Sequence, residues 1–384
     1  MRFEFATATR IVFGAGAIDQ VGAEVKAFGA RALVVTGRNP RRAEKLLAGL
    51  RANGQGVVTF AVASEPEIST VEQGTALARA ERCDFVIALG GGSVIDAGKA
   101  IAAMLANAGG LLDYLEIIGR GRALTRPSAP FVAVPTTAGT GSEVTRNAVL
   151  GSPEHKLKVS LRSPLMLARL AVVDPELTYD LPPATTAGTG LDALTQLIEP
   201  YVCLRANSLV DGVCVEGIRR AVRSLRVAFA DGRNAVARGD MAVAGLHGGL
   251  ALANAGLGAV HGIAGPVGGS FCAPHGAVCA ALLPHVMEAN IRALRGREPR
   301  SPALVRYEEI ARLLTGQPAA PADAGVEWVR ELVSELQIPP LSTYGLGPES
   351  FPDLVAKAAN AGSMRANPIA LTPEELTAAL RRAL

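Results

Sequence analysis

Asp192 and Gln196 stand four residues apart in the run Gly190-Leu191-Asp192-Ala193-Leu194-Thr195-Gln196. A helix there puts both side chains on one face. Downstream lie His261 and His275, separated by a stretch rich in glycine and broken by proline. A carboxylate, an amide oxygen and two imidazoles are donors that a divalent metal accepts. Such a metal would polarise an alcohol or carbonyl oxygen. Each residue also has a plainer reading. Asp192 alone fits a helix start favoured by the dipole. Gln196 alone fits a surface, and either histidine alone fits a satisfied core position. A rival grouping of Cys272, His275 and Cys279 would bind zinc, although no matching cysteine pair stands elsewhere.

A second chemistry is written in Gly90-Gly91-Gly92-Ser93, between an apolar run at Phe85–Leu89 and a helical pattern from about Val94 to Leu105. Glycines let a phosphate approach the backbone, and the following helix end offers free N–H groups and the positive end of its dipole. Ser93 reads as the N-cap with Asp96 at N3. The alternative is a tight strand-to-helix turn. Gly14 and Gly16 begin a Gly-x-Gly-x-x-Gly pattern, but Asp19 takes the third position, so that segment reads as a surface turn. The loop Pro135 to Thr145 holds Thr136, Thr137, Thr140, Ser142 and Thr145 among small residues. Hydroxyls at the carboxyl end of a parallel strand face the ligand crevice of such sheets.

The elements that must position these groups follow from hydrophobic periodicity. The chain of 384 residues suggests two domains. In its first half, apolar runs at Ala32–Thr36, Phe60–Val62, Phe85–Leu89, Phe131–Val134, Lys158–Leu161 and Leu170–Val173 alternate with helical patterns such as Arg41–Ala52. That alternation predicts a parallel sheet with crossover helices. After Pro182-Pro183 a 3.6-residue period dominates. The expected division is an α/β dinucleotide-binding domain over 1–180 and an all-α domain over 181–384, with breaks at Pro318–Pro321 and Ile338–Pro340. The apolar stretch Met241–Gly269 contains His247, Asn254 and His261, which suits a buried helix pair rather than a membrane span.

Net charge is +3, too small to point to a nucleic-acid partner. The cluster Arg292, Arg295, Arg297 and Arg300 reads as a solvated loop. Five cysteines (Cys83, Cys203, Cys214, Cys272, Cys279) at irregular spacing argue for a reducing compartment. The N-terminus shows no secretory pattern, so a cytoplasmic location is expected.

Taken together, Gly90–Ser93 with Asp96 and Lys99, Pro135–Thr145, Asp174-Pro175, Leu181–Pro183, Gly190–Glu199, His261-Gly262, Pro274–Gly276 and Leu283–His285 resemble the iron-containing alcohol dehydrogenases (group III), a branch of the dehydroquinate synthase-like fold. The resemblance implies an α/β nucleotide-binding domain, a helical metal domain and an active site between them. It implies hydride transfer between NAD(P)H and a small aldehyde, ketone or alcohol, with Fe2+ or Zn2+ as Lewis acid. Carried over by position, Asp192, Gln196, His261 and His275 would hold the metal. Gly91, Gly92, Ser93 and Asp96 would serve the pyrophosphate turn. Thr136, Thr137, Thr140 and Thr145 would line the adenosine and nicotinamide side, and Lys158 would reach a ribose. The substrate would lie near Phe271 and Ser363–Asn367, and Phe3–Phe5 with Ile11–Phe13 would pair in a homodimer unless they form a local hairpin.

Three departures stand out. The family usually has histidine at Gln196, and often a further histidine at Gly265. It commonly has aspartate after Val35-Thr36, where this chain has Gly37 and then Arg38. Loss of that carboxylate beside guanidinium groups favours NADP(H) over NAD(H). Three competing functions fit parts of the pattern: a metal-independent enzyme resembling maleylacetate reductases, a cyclase resembling dehydroquinate synthase, and a nucleotide-binding protein with a decayed site.

Overall fold

The computed structural model describes residues 2–155, 157–271 and 273–384. The chain forms two compact units. One comprises Ala6–Thr137 and Gly141–Tyr179; the other comprises the N-terminal residues up to Phe5, Ala138–Thr140 and Asp180–Leu384.

The first unit contains β1 (Ile11–Phe13), β2 (Arg31–Thr36), β3 (Gly56–Ala61), β4 (Phe85–Gly90), β5 (Phe131–Pro135), β6 (Asn147–Ser152), β7 (Leu157–Arg162) and β8 (Leu170–Val173), with helices α1 (Val21–Glu24), α2 (Glu44–Ala52), α3 (Ile68–Ala80) and α4 (Gly92–Ala106). Six strands make one parallel sheet in the order β1-β8-β5-β4-β2-β3. Leu33, Val34, Val86, Ile87, Val132 and Ala133 are fully buried. Strands covered on both faces take continuous apolar runs, which is why these segments do not alternate. From β2 the chain passes to β3 on one side and then to β4 on the other. The carboxyl ends of β2 and β4 thus flank a point where strand order reverses, the usual ligand crevice of open α/β sheets.

Several details differ from the sequence reading. The Lys158–Leu161 run lies in β7, which pairs antiparallel with β6 in a separate two-stranded sheet. Ile11–Phe13 pairs in parallel with β8, so it is not part of a local hairpin, and Phe3–Phe5 is not a strand. The helix expected from Arg41 opens with a 3-10 turn, Pro40–Ala43, where Asn39 caps Arg41 N. The strand expected at Phe60–Val62 extends over Gly56–Ala61 instead.

The second unit contains α5 (Pro183–Val202), α6 (Ser208–Ala230), α7 (Ala235–Asn254), α8 (Ala259–Ser270), α9 (His275–Arg297), α10 (Pro302–Thr315), α11 (Ala322–Glu335), α12 (Phe351–Ala359) and α13 (Pro373–Arg382), with no strand among its described residues. α5 is buried on every side from Gly190 to Val202, with α6, α7 and α9 packed round it. One close approach has a clear cause. A Cβ on Gly276 would stand 2.5 Å from Gly188 O, so only glycine lets the start of α9 meet α5. α7 and α8 meet at a 98° bend, and among the described residues no single helix is long and apolar enough to cross a membrane. Of the arginine cluster, only Arg300 lies in a loop, in the turn after α9. Arg292, Arg295 and Arg297 end α9, where they pair with Glu288, Asp323 and Glu375.

Candidate metal centre and cofactor edge

Asp192, Gln196 and Glu199 follow one face of α5 at spacings of four and three residues, and all three are buried. Asp192 lies mid-helix, so the helix dipole does not account for it. Gln196 is not a surface residue. Its Nε2 donates to Asp192 Oδ2 at 3.1 Å. Asp192 Oδ1 and Gln196 Oε1 are buried without hydrogen-bond partners. A buried orphan oxygen costs about 1–3 kcal/mol, more on a charged group, so Asp192 Oδ1 requires a partner.

His261 stands in the first turn of α8. Its Nδ1 donates to Glu199 Oε2 at 2.6 Å, and Glu199 Oε1 accepts Val260 N at 2.7 Å. Glu199 thereby fixes the tautomer and leaves the Nε2 lone pair free, the arrangement that orients metal-binding histidines. His261 Nε2 lies 3.5 Å from Asp192 Oδ1, and His275 Nε2 lies 3.7 Å from it. Cys279, one turn beyond His275 on α9, places Sγ 3.5 Å from His275 Nε2 and 3.8 Å from His261 Nε2. One donor atom from each of Asp192, His261, His275 and Cys279 falls within 4.8 Å of all the others. A tetrahedral zinc shell with ordinary bond lengths has donor–donor edges of about 3.4–3.6 Å. The four separations given above, 3.5 to 3.8 Å, lie at or slightly above those edges. The two N···O separations are also longer than a normal hydrogen bond.

Burial opposes every charge in this cluster and is outweighed in each case. His275 and then His261 hold the Asp192 carboxyl below its ordinary range, and they lower the Cys279 thiol too. Cys279 raises both imidazoles, His261 strongly, with Glu199 adding to it. Of the rival zinc grouping, Cys279 and His275 are adjacent, while Cys272 lies outside the described residues. Near this cluster, Met364 packs where a Cβ on Gly262 would sit, and Asn367 Oδ1 accepts Ala259 N at 3.0 Å, so the Ser363–Asn367 segment braces α8.

The cofactor candidates gather on the other unit. Gly37 follows β2, Gly91–Ser93 follow β4, and Thr136-Thr137 follow β5 through its terminal Pro135, three neighbouring strands. The N-cap of α4 is Gly91, and the helix begins at Gly92, so Ser93 is its second residue rather than its cap. Unbranched glycines let the helix start two residues earlier than the Ser93 reading supposes. Thr136 N donates to Gly90 O at 2.9 Å, and a Cβ on Gly91 would stand 3.3 Å from Thr137, so the two loops lie side by side. Arg38 is exposed and donates through Nε to Ala63 O. Lys158 Nζ pairs with Glu65 at 2.7 Å.

Two predicted cofactor contacts serve the loop itself. Asp96 accepts from Ser142 Oγ and from Val149 N. Thr145 Oγ1 accepts from Lys99 Nζ at 2.9 Å. Lys99 is wholly buried and also donates to Ser142 O and Asn147 O, both at 2.7 Å. Burial lowers its ammonium to about 8, and burial raises Glu143 in the same loop to about 7. Thr140 belongs to the Ala138–Thr140 segment, which groups with the helical unit.

A parallel sheet with a glycine-rich turn at its reversal point, and a helical unit with a buried carboxylate–imidazole cluster, place the chain in the dehydroquinate synthase-like class. The profile described as "Iron-containing alcohol dehydrogenase" matches residues 8–175, and "Fe-containing alcohol dehydrogenase family, C-terminal" matches residues 186–384. The chain belongs to the iron-containing alcohol dehydrogenase family. It is 37% identical to 1,3-propanediol dehydrogenase of Klebsiella pneumoniae over 99% of this chain and 98% of that one. It is 32% identical to the NAD-dependent methanol dehydrogenase of Bacillus methanolicus, over 97% of each. Among solved structures, a 1,3-propanediol oxidoreductase superposes with a TM-score of 0.92 at 35% identity, covering all of both chains.

Proposed function

We propose that this alcohol dehydrogenase is metal-assisted and nicotinamide-dependent, moving a hydride between NAD(P)H and a small aldehyde or ketone, or back from the alcohol. The observation that carries the reading is Asp192 Oδ1, buried and unpartnered, facing Nε2 of both His261 and His275. These residues fit a divalent ion, Fe2+ or Zn2+, and the family resemblance adds Gln196 as a candidate fourth donor. When bound, the ion supplies a Lewis acid for the substrate oxygen. The chain's own groups do the rest. Glu199 holds His261 with Nε2 toward the centre, and buried Asp192 brings negative charge to it. The N–H groups at the start of α4, beside Gly91, Gly92 and Ser93, receive the cofactor's pyrophosphate. Asp96 and Lys99 keep the Thr136–Thr145 loop in place for it.

Gly37 with exposed Arg38 supports NADP(H) over NAD(H), since the carboxylate that would accept ribose hydroxyls is missing. The relative named as NAD-dependent supports the nicotinamide but not this preference. Comparing kcat/KM for NADPH and NADH decides it, and a clear NADH advantage would end the NADP(H) reading. The propanediol and methanol relatives point to short alcohols as the first substrates to assay. A cytoplasmic homodimer is the expected setting, to be read by sedimentation and fractionation. The second reading, a metal-independent enzyme like maleylacetate reductase, draws on Gln196 in place of an imidazole. Activity that persists unchanged after chelation, with no metal retained, would favour it.

A further inference from the structure

We propose that Cys279 is a direct ligand of this centre, giving an Asp192–His261–His275–Cys279 site in which Gln196 orients Asp192 instead of binding the ion. The proposal rests on the metal reading above and deepens it.

Gln196 turns its amide nitrogen to Asp192 Oδ2. That nitrogen has no lone pair to give a cation. The amide oxygen lies 3.5 Å from where a Cβ on Gly248 would be, so it faces the α7 backbone. The place of a fourth donor is taken from another helix. Cys279 is fully buried on α9, one turn after His275, so both side chains leave the same helix face. Sγ lies 3.5 and 3.8 Å from the two imidazole nitrogens, at or slightly above the donor spacing of a shared tetrahedral shell. Cys214 and Cys279 are both buried in the helical core, but only Cys279 also meets a carboxylate and two imidazoles.

On binding, the Cys279 S–H bond breaks, a metal–sulfur bond forms, and the proton leaves to solvent. The thiolate and the Asp192 carboxylate then balance the divalent charge of the ion. Thiolate is a soft donor, so the set favours zinc over harder ions.

The test is anaerobic titration of the metal-free full-length protein with Co2+, with Zn2+ competition for affinity. Binding of one Co2+ per chain with a near-ultraviolet sulfur-to-cobalt charge-transfer band is expected. Cys279→Ser should abolish the band and weaken zinc binding by at least about tenfold, taking the cost of losing even an outer partner as the floor. Gln196→Ala should keep the band. One Co2+ bound without the band, or a band that survives in Cys279→Ser, would overturn the proposal while leaving the metal centre standing. Loss of Co2+ binding in Gln196→Ala, with normal binding in Cys279→Ser, would return the position to the amide. No uptake at all would sink both the ligand assignment and the metal reading. If Cys279→Ser fails to fold, X-ray absorption of the zinc-loaded wild type decides alone: one sulfur at about 2.3 Å is expected, and none refutes it.

Discussion

Asp192 and Glu199 are both buried carboxylates on one helix face, yet they take different roles. Asp192 presents an unpartnered oxygen to the centre, and Glu199 uses both oxygens on α8. Replacing Glu199 by Gln should therefore leave the helices folded but free the His261 ring, lowering zinc affinity by about 10–100-fold and kcat/KM with it. Competition with a chromophoric chelator measures this, and unchanged affinity would show that Glu199 is only a packing contact. Asp192, His261 and His275 were legible because their types are unusual in apolar surroundings. In the sequence Glu199 only closes the Gly190–Glu199 motif, although seven residues from Asp192 puts it on the same helix face. Cys279 was legible only as a poor zinc spacing. Its convergence with Asp192 depends on how α5 and α9 cross, which no local spacing encodes.

At the scale of elements, the approach of α9 to α5 hangs on Gly276. Gly276→Ala should destabilise the fold by about 1–3 kcal/mol and weaken metal binding, because the added carbon meets backbone. Gly265→Ala is the control. Nothing lies within 4 Å of that position, so it should be neutral or stabilising by up to about 1 kcal/mol. Equal losses in chemical denaturation would contradict the packing argument. The clamp that Asp96 and Lys99 of α4 place on the Ser142–Val149 segment gives a pH signature. Burial pushes the folded Glu143 carboxyl up to about 7, against 4.5 for an ordinary one. The folded state keeps a proton that the unfolded chain has lost, so this stability is present below about pH 4.5 and is lost as pH rises through 7. Lys99 acts oppositely. Its folded value of about 8 against 10.5 imposes a cost below pH 8 that is relieved towards pH 10.5. Glu143→Gln should flatten the fall in melting temperature between about pH 5 and 7. A wild-type profile already flat there would refute the assignment. The clamp was hard to read because Lys99, Asp96 and Thr145 look like ordinary helix and loop residues until the chain folds back.

For the whole molecule, periodicity carried the architecture: continuous apolar runs became the parallel sheet, and the 3.6-residue pattern became the helical unit. The β6–β7 pair escaped because Asn147–Ser152 includes glycine and serine and makes a weak strand pattern on its own. The N-cap of α4 shifted because three glycines leave the turn under-determined. Since the donors come from α5, α8 and α9, an ion held there ties three helices together. Saturating Zn2+ should raise the melting temperature, with about 4 kcal/mol of stabilisation at a thousandfold excess over Kd. Identical melting with zinc and with chelator would mean that the folded state holds no ion. The most direct test is the metal content of untagged protein purified anaerobically without chelators. About one zinc or iron ion per chain is the expected result, as a four-donor centre requires. Protein that carries no metal, and takes up neither ion when it is supplied, would contradict the account at its centre.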